Sequence, residues 1–187
     1  MWAEIVAVLW FIWPAYMANS FAINVSGVSF LKKYKQPIDG GLEVNGKRLF
    51  GPGKTWRGFF AGILFAVLTG VIQSIYQTDV GFWYANNFPG SALVLTEMTI
   101  TLAFLLGLGA MLGDLAGSFL KRRCGLDRGA CVPFLDQWDY IFGAYALALI
   151  ITPFSTTLFI WTLIVTIPLH IGANILAWSI NLKKVPW

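Results

Sequence analysis

The chain has 187 residues, 57% of them hydrophobic and only 12% charged, with a formal net charge of +4. That composition excludes an ordinary soluble domain and a disordered chain, and it implies a protein embedded in a membrane. All thirteen Lys and Arg lie within 32–57, 121–128 and 183–184, with long apolar stretches between them.

The first apolar run, about Val6 to Phe30, predicts a spanning helix. No basic residue precedes it, it is longer than a signal-peptide core, and it lacks a small-residue cleavage site, so it reads as a retained helix. Its second half is polar, with Asn19, Ser20, Asn24, Ser26 and Ser29. Asn19, Ser20 and Asn24 fall on roughly one side of a helix, suited equally to an interior cleft or to helix–helix hydrogen bonding.

A basic loop, about 31–57, ends in Gly51-Pro52-Gly53-Lys54-Thr55-Trp56-Arg57-Gly58. Glycines and a proline ahead of a helix N-terminus, with Lys54 and Thr55 at the junction, can cradle a phosphate through backbone N–H groups and the helix dipole. It is not a Walker A loop, because Arg48 stands where the first glycine is required. By spacing alone the signal is weak, since Gly-Pro-Gly also marks any tight turn.

The second span is expected at about Gly58 to Tyr76 and the third at about Ala92 to Leu120. Gly109, Gly113 and Gly117 recur every four residues in the third, a spacing that lets a neighbouring helix approach closely in lipid. Asp114 sits inside this apolar run, where an unpaired carboxylate is expensive. Continued through Arg122, the helix puts Asp114, Ser118, Lys121 and Arg122 on one face. A second basic loop, about 121–137, contains Arg128 and leads to Asp136 and Asp139, which are three apart and share a face of the next helix.

The fourth span, about Trp138 to Phe154, is the shortest, and Pro153 suits a turn into the fifth, about Leu158 to Ile180. In the fifth, His170 lies near mid-membrane with Asn174 one turn on, which favours interior hydrogen bonding over a functional role. The expected fold is thus an all-α integral membrane protein of five transmembrane helices, forming a single domain over 1–187 with no internal repeat. Five crossings put every basic segment on one face, which the positive-inside rule makes cytoplasmic, with the N-terminus outside and the C-terminus inside. Cys124 and Cys131 fall on that same face, where thiols stay reduced, and nothing near them in sequence completes a zinc site.

Carboxylates beside phosphate-binding cations at one membrane interface are what a magnesium site needs, because Mg²⁺ takes few protein oxygens and completes its shell with phosphate and water. At these residues the chain resembles the CDP-diacylglycerol synthase family of integral-membrane cytidylyltransferases, most closely its archaeal branch. Pro52-Gly53-Lys54-Thr55-Trp56 with Gly58 matches one family segment, and Gly113-Asp114-Leu115 with Ser118, Lys121 and Arg122 matches another. Asp127, Gly129, Asp136 and Asp139 continue the match. Leu126 and Gln137 replace a family Lys and Arg, and the His-Gly-Gly before the last aspartates is missing, departures that look like the archaeal branch.

The resemblance implies transfer of CMP from CTP to 2,3-di-O-geranylgeranylglycerol 1-phosphate, giving CDP-archaeol and pyrophosphate. It assigns Mg²⁺ to Asp114, Asp136 and Asp139, and phosphates to Gly53, Lys54, Thr55, Ser118, Lys121 and Arg122, with Arg128 as a further contact. The partners it implies are CTP, an isoprenoid glycerol phosphate lipid and the membrane, not nucleic acid. Phosphatidic acid is the alternative lipid. A CDP-alcohol phosphotransferase does not fit, because Asp139 is followed by Tyr140 rather than Gly. A small transporter is expected to place polar groups at the midplane of several spans, whereas here the charges crowd one interface.

Overall fold

The structure, a computed structural model, describes residues 1–24, 33–127 and 130–180. The described residues form five α-helices: α1 (Trp2–Asn24), α2 (Trp56–Asn87), α3 (Ile100–Arg123), α4 (Leu135–Ala148) and α5 (Thr156–Ser179). Strands β1 (Glu43–Val44) and β2 (Lys47–Arg48) pair antiparallel in the loop between α1 and α2, Glu43 opposite Arg48. Asn45 and Gly46 both have positive φ, as a two-residue hairpin turn requires.

Among the described residues four helices, α1, α2, α3 and α5, are long and apolar enough to cross a membrane. α4 has 14 residues, a rise of about 21 Å against roughly 30 Å of hydrocarbon. The fourth apolar run therefore becomes a helix that starts at Leu135, earlier than Trp138, and stops at Ala148, well short of Phe154. Beyond it Thr152 donates to the Ala148 carbonyl, and Pro153 and Ser155 lead into α5.

The other boundaries follow caps more than hydropathy. α1 starts at Trp2 rather than Val6, and the expected residues 25–30 lie outside those described. α2 runs past Tyr76 to Asn87, because the stretch after the apolar run tolerates its single Gly81 and meets no proline until Pro89-Gly90. α3 begins at Ile100, not Ala92, where the Thr99 hydroxyl accepts from the Leu102 N–H. Residues 91–99 are instead an extended strap, and neighbouring side chains serve its backbone. The Met98 N–H donates to the Gln77 amide oxygen Oε1, the Thr96 carbonyl accepts from Trp10 Nε1, and the Leu93 carbonyl accepts from the Tyr84 hydroxyl. Backbone polar groups outside regular helix that are shielded from water need such partners.

α3 is the most buried spanning helix and contacts α1, α2 and α4. Its closest neighbour is α4. A Cβ on Gly113 would run into the Asp139 backbone carbonyl, and one on Gly143 would run into the Gly109 carbonyl, so only glycine permits this separation. Around the seam lie Val8, Ile12, Leu102, Leu106 and Ile141, all essentially inaccessible. α5 is tied in by Tyr16 to Thr166 and Tyr145 to Thr162 hydroxyl pairs at 2.8 and 2.7 Å.

Pro14 inside α1 cannot donate to the Trp10 carbonyl four residues back. Gln73 of α2 makes up the loss, its amide nitrogen donating to that carbonyl at 2.6 Å. Asn174 and His170 approach to 3.3 Å within α5, as their one-turn spacing implies.

Candidate active site

One end of the bundle collects the N-termini of α2 and α4 and the C-termini of α1 and α3. Helix dipoles there favour anions at α2 and α4 and cations at the end of α3. The sequence follows this, with Lys121, Arg122 and Arg123 in the last turn of α3 and Asp136 in the first turn of α4.

The loop leading to α2 is held rigidly. The Ile38 N–H donates to the Lys54 carbonyl, the Trp56 N–H donates to the Gln36 carbonyl, and Pro37 and Thr55 form a bridge. Asp39 is almost fully buried and accepts from the backbone N–H groups of Gly41, Phe50 and Gly51 and from Arg48. Burial opposes its ionisation, but those donors together outweigh burial and hold its carboxyl below the ordinary value. Gly51, at φ 94, turns the chain so that the Lys54 N–H meets the Gly51 carbonyl. Thr55 then caps α2, its hydroxyl accepting from the Gly58 N–H at 3.2 Å.

Arg123 completes this support from α3 by donating to the carbonyls of Val44, Lys47 and Arg48 at 2.7 to 2.9 Å. In the sequence Arg123 is one cation among those of the basic segment 121–128. It is the clamp that fixes the hairpin, and the Asn45-Gly46 turn was the signal that carbonyls would be presented there.

The two sequence blocks meet at Lys54 and Asp114. The Lys54 ammonium lies 2.6 and 2.5 Å from the two Asp114 oxygens, with both side chains partly exposed. They line a cavity of about 500 Å³ together with Gly53, Thr55, Arg57 and Asn19, a size suited to a small-molecule ligand. Met111, Phe59 and Ala22 make its apolar side. Lys35 and Arg57 were not singled out from sequence, yet both stand on this cavity.

Next to it Lys121 forms an ion pair with Asp136 and donates to the Ala130 carbonyl at 3.2 Å. Asp136 also accepts from the Val132 N–H at 3.1 Å. Arg122 donates to the Asp127 carbonyl, and its side chain passes over Gly51. Ser118 is half-buried one turn after Asp114, on the same face of α3. Asp139 accepts from the Tyr140 N–H at 2.6 Å, and a Cβ on Gly117 would strike its carboxylate. It feels the charges of Asp114, Lys54 and Asp136. Arg128 and Gly129 lie outside the described residues.

The three aspartates thus occupy one neighbourhood without forming a ready cage. Among the described residues no three His, Cys, Asp or Glu side chains are grouped closely enough to hold a metal ion by themselves. Asp114 and Asp136 each face a lysine, while Asp139 is set by its packing on Gly117. Phe134, which precedes α4, has φ 66, an uncommon conformation for a bulky residue, and it aims the first turn that carries Asp136. Cys124 and Cys131 are free thiols at the surface.

A family model described as CarS-like, CDP-archaeol synthase, matches residues 1–187. The CDP-archaeol synthase of Thermococcus kodakarensis is 40% identical over 179 residues, covering 95% of this chain and 94% of that one. That of Archaeoglobus fulgidus is 38% identical and covers 98% of each chain. A solved structure, described as an intramembrane enzyme for archaeal membrane lipids biosynthesis, is similar with a TM-score of 0.68. It is 29% identical and covers 89% of this chain and 92% of that one.

Proposed function

The chain belongs to the CDP-archaeol synthase family, and from that premise we propose how its charged end carries out the transfer of CMP from CTP to an archaeal lipid phosphate. The products are CDP-archaeol and pyrophosphate. One observation carries the reading: Lys54 of the loop before α2 and Asp114 of α3 meet on one cavity, 2.5 Å apart, although 60 positions separate them.

An oxygen of the lipid phosphate attacks the α-phosphorus of CTP, and the bond from that phosphorus to the bridging oxygen breaks as pyrophosphate leaves. The second pKa of a phosphate monoester is about 6, so near neutral pH the attacking oxygen carries no proton and no general base is needed. The protein's task is to bring two anions together in line and to neutralise the charge that develops on the leaving group. Lys54, the α2 N-terminus and Thr55 hold phosphate on one side of the site. Lys121, Arg122 and Ser118 hold it on the other, and Arg128 is a further phosphate contact in this proposal.

Magnesium dependence is part of the proposal. Asp114, Asp136 and Asp139 offer hard oxygens within reach of one another's charge, and the lack of a closed cage suits an ion that takes only one or two carboxylates and leaves room for phosphate oxygens. Bound there, Mg²⁺ supplies charge neutralisation along the triphosphate. The lysines facing Asp114 and Asp136 bring cations to the same place, so nucleotide and metal are received by one set of groups.

The membrane arrangement proposed is five crossings, with short α4 as the fourth, the charged end in the cytoplasm and the N-terminus outside, as the confinement of basic residues supports. Cys124 and Cys131 test this, being exposed beside that end. A membrane-impermeant thiol reagent should label them only after cells are opened, and labelling in sealed cells would reverse the orientation. For the reaction, purified protein should convert CTP and the geranylgeranyl lipid phosphate to a CDP-lipid identified by mass spectrometry, and chelation of divalent metal should stop it. Equal or better turnover of phosphatidic acid would move the chain to the diacylglycerol branch of substrates.

A further inference from the structure

Beside the polar cavity is a second, apolar groove of about 400 Å³ lined by Tyr34, Gln36, Trp56, Phe60, Ala61 and Leu64, with Arg57 at its edge. Among the described residues Arg57 is the one that lines both hollows. Trp56, Phe60 and Leu64 follow each other at one-turn spacing on α2 and are 44, 61 and 55% exposed, so this wall of the helix presents an uncovered apolar surface suited to hydrocarbon. Trp56 and Phe60 stack with ring centroids 5.7 Å apart. Gln36, bonded through its carbonyl to the Trp56 N–H, and Tyr34 close the groove at its interfacial end. The surface therefore changes from an apolar channel open to lipid into a cation-lined cavity across a single half-buried arginine.

We infer that Arg57 receives the lipid substrate's phosphate at this junction while one of its isoprenoid chains lies along Trp56, Phe60 and Leu64. This rests on the cytidylyltransferase reading and assigns that enzyme's lipid side. The occupant follows from charge and continuity. An apolar groove that ends on a guanidinium and then on Lys54 complements a molecule with a hydrocarbon chain and a phosphate in that order. Arg57 is in the first turn of α2, where the helix dipole also favours an anion. A guanidinium can bind two phosphate oxygens at once, which an ammonium cannot. Ala61, between Phe60 and Leu64 in sequence, is the smallest side chain lining the groove.

The test uses the full-length enzyme and two lipid phosphates of identical headgroup, one with long isoprenoid chains and one with short chains, varying each lipid at saturating CTP and then CTP at saturating lipid. Arg57→Gln should raise KM for both lipids about tenfold or more, leaving KM for CTP within about twofold of wild type. Arg57→Lys should recover part of the loss. Ala61→Phe, which fills the groove, should raise KM for the long-chain lipid severalfold and leave the short-chain one unaffected, so that short-chain turnover also reports correct folding. A shift in the CTP KM with none in the lipid KM for Arg57→Gln, or an Ala61→Phe effect that is absent or equal on both lipids, would overturn the assignment. Wild-type enzyme that turns over neither lipid phosphate would instead remove the cytidylyltransferase reading itself.

Discussion

The two ends of the bundle both contain polar groups and a cavity, yet they use them differently. At the far end Trp10, Gln77 and Tyr84 are neutral side chains engaged with the backbone of the strap at 91–99, and Gln73 serves the carbonyl orphaned by Pro14. The cavity there, about 340 Å³ between the strap, α4 and α5, has no charged residue on its wall. At the charged end, side chains paired with one another line a hollow that has room for a ligand. A cavity of useful size occurs at both ends, and only the titratable groups distinguish a site from a scaffold.

Substitutions at the two ends should therefore fail in different ways. The largest effect of a single substitution is expected for Asp114→Asn, which keeps shape and removes charge. The protein should still fold while turnover falls by a hundredfold or more, an order-of-magnitude expectation for a group stabilising transferred phosphate, and partial rescue by excess Mg²⁺ would place Asp114 at the edge of the metal site. Lys54→Met should weaken CTP binding by about 1.5 to 3 kcal/mol, measurable by titration calorimetry. Unchanged affinity would return Lys54 to the general positive charge of the loop.

Smaller changes sharpen the contrast. Gly113→Ala pushes a methyl group at the Asp139 carbonyl, so it should cost about 1 to 3 kcal/mol of stability and lower activity too, since the same seam places Asp139. At the far end Gln73→Leu should cost about 1 to 2 kcal/mol by leaving the Trp10 carbonyl unpaired, with kcat and both KM values unchanged. A matching loss of activity would mean that the two ends are coupled.

The smallest effect concerns pH. The Asp39 carboxyl is held below its ordinary 3.8 in the folded protein, so its contribution is complete above that value and is lost as pH falls through the lower folded value. Thermal stability should then drop more steeply in wild type than in Asp39→Asn below about pH 4. Parallel profiles would show that the buried carboxylate does not anchor the loop.

Much of this division was legible in the residues. The confinement of Lys and Arg outside the apolar runs pointed to the charged end of the bundle, the spacing of Asp114, Ser118, Lys121 and Arg122 put them on one face of α3, and the glycine repeat predicted a close neighbour for α3. What escaped has physical causes. Apolar content cannot distinguish a spanning helix from an extended segment whose backbone is satisfied by Gln77, Trp10 and Tyr84, so the start of α3 was set too early. The same blindness extended the fourth run beyond Ala148. Nothing in the sequence marks Asp39, because its four donors come together only when the chain folds back at Asn45-Gly46. Arg57 and Lys35 carried no spacing signal, since what distinguishes them is the cavity they share.

The central claim is that Asp136 and Asp139, with the groups around Lys54 and Asp114, form one site for nucleotide and lipid phosphate. It is tested most directly by pyrophosphate release from CTP in reconstituted protein, comparing wild type with the Asp136→Asn, Asp139→Asn double variant. The account predicts release in wild type only when both lipid phosphate and Mg²⁺ are supplied, and none above background in a double variant that folds normally. Full activity in that variant would contradict it.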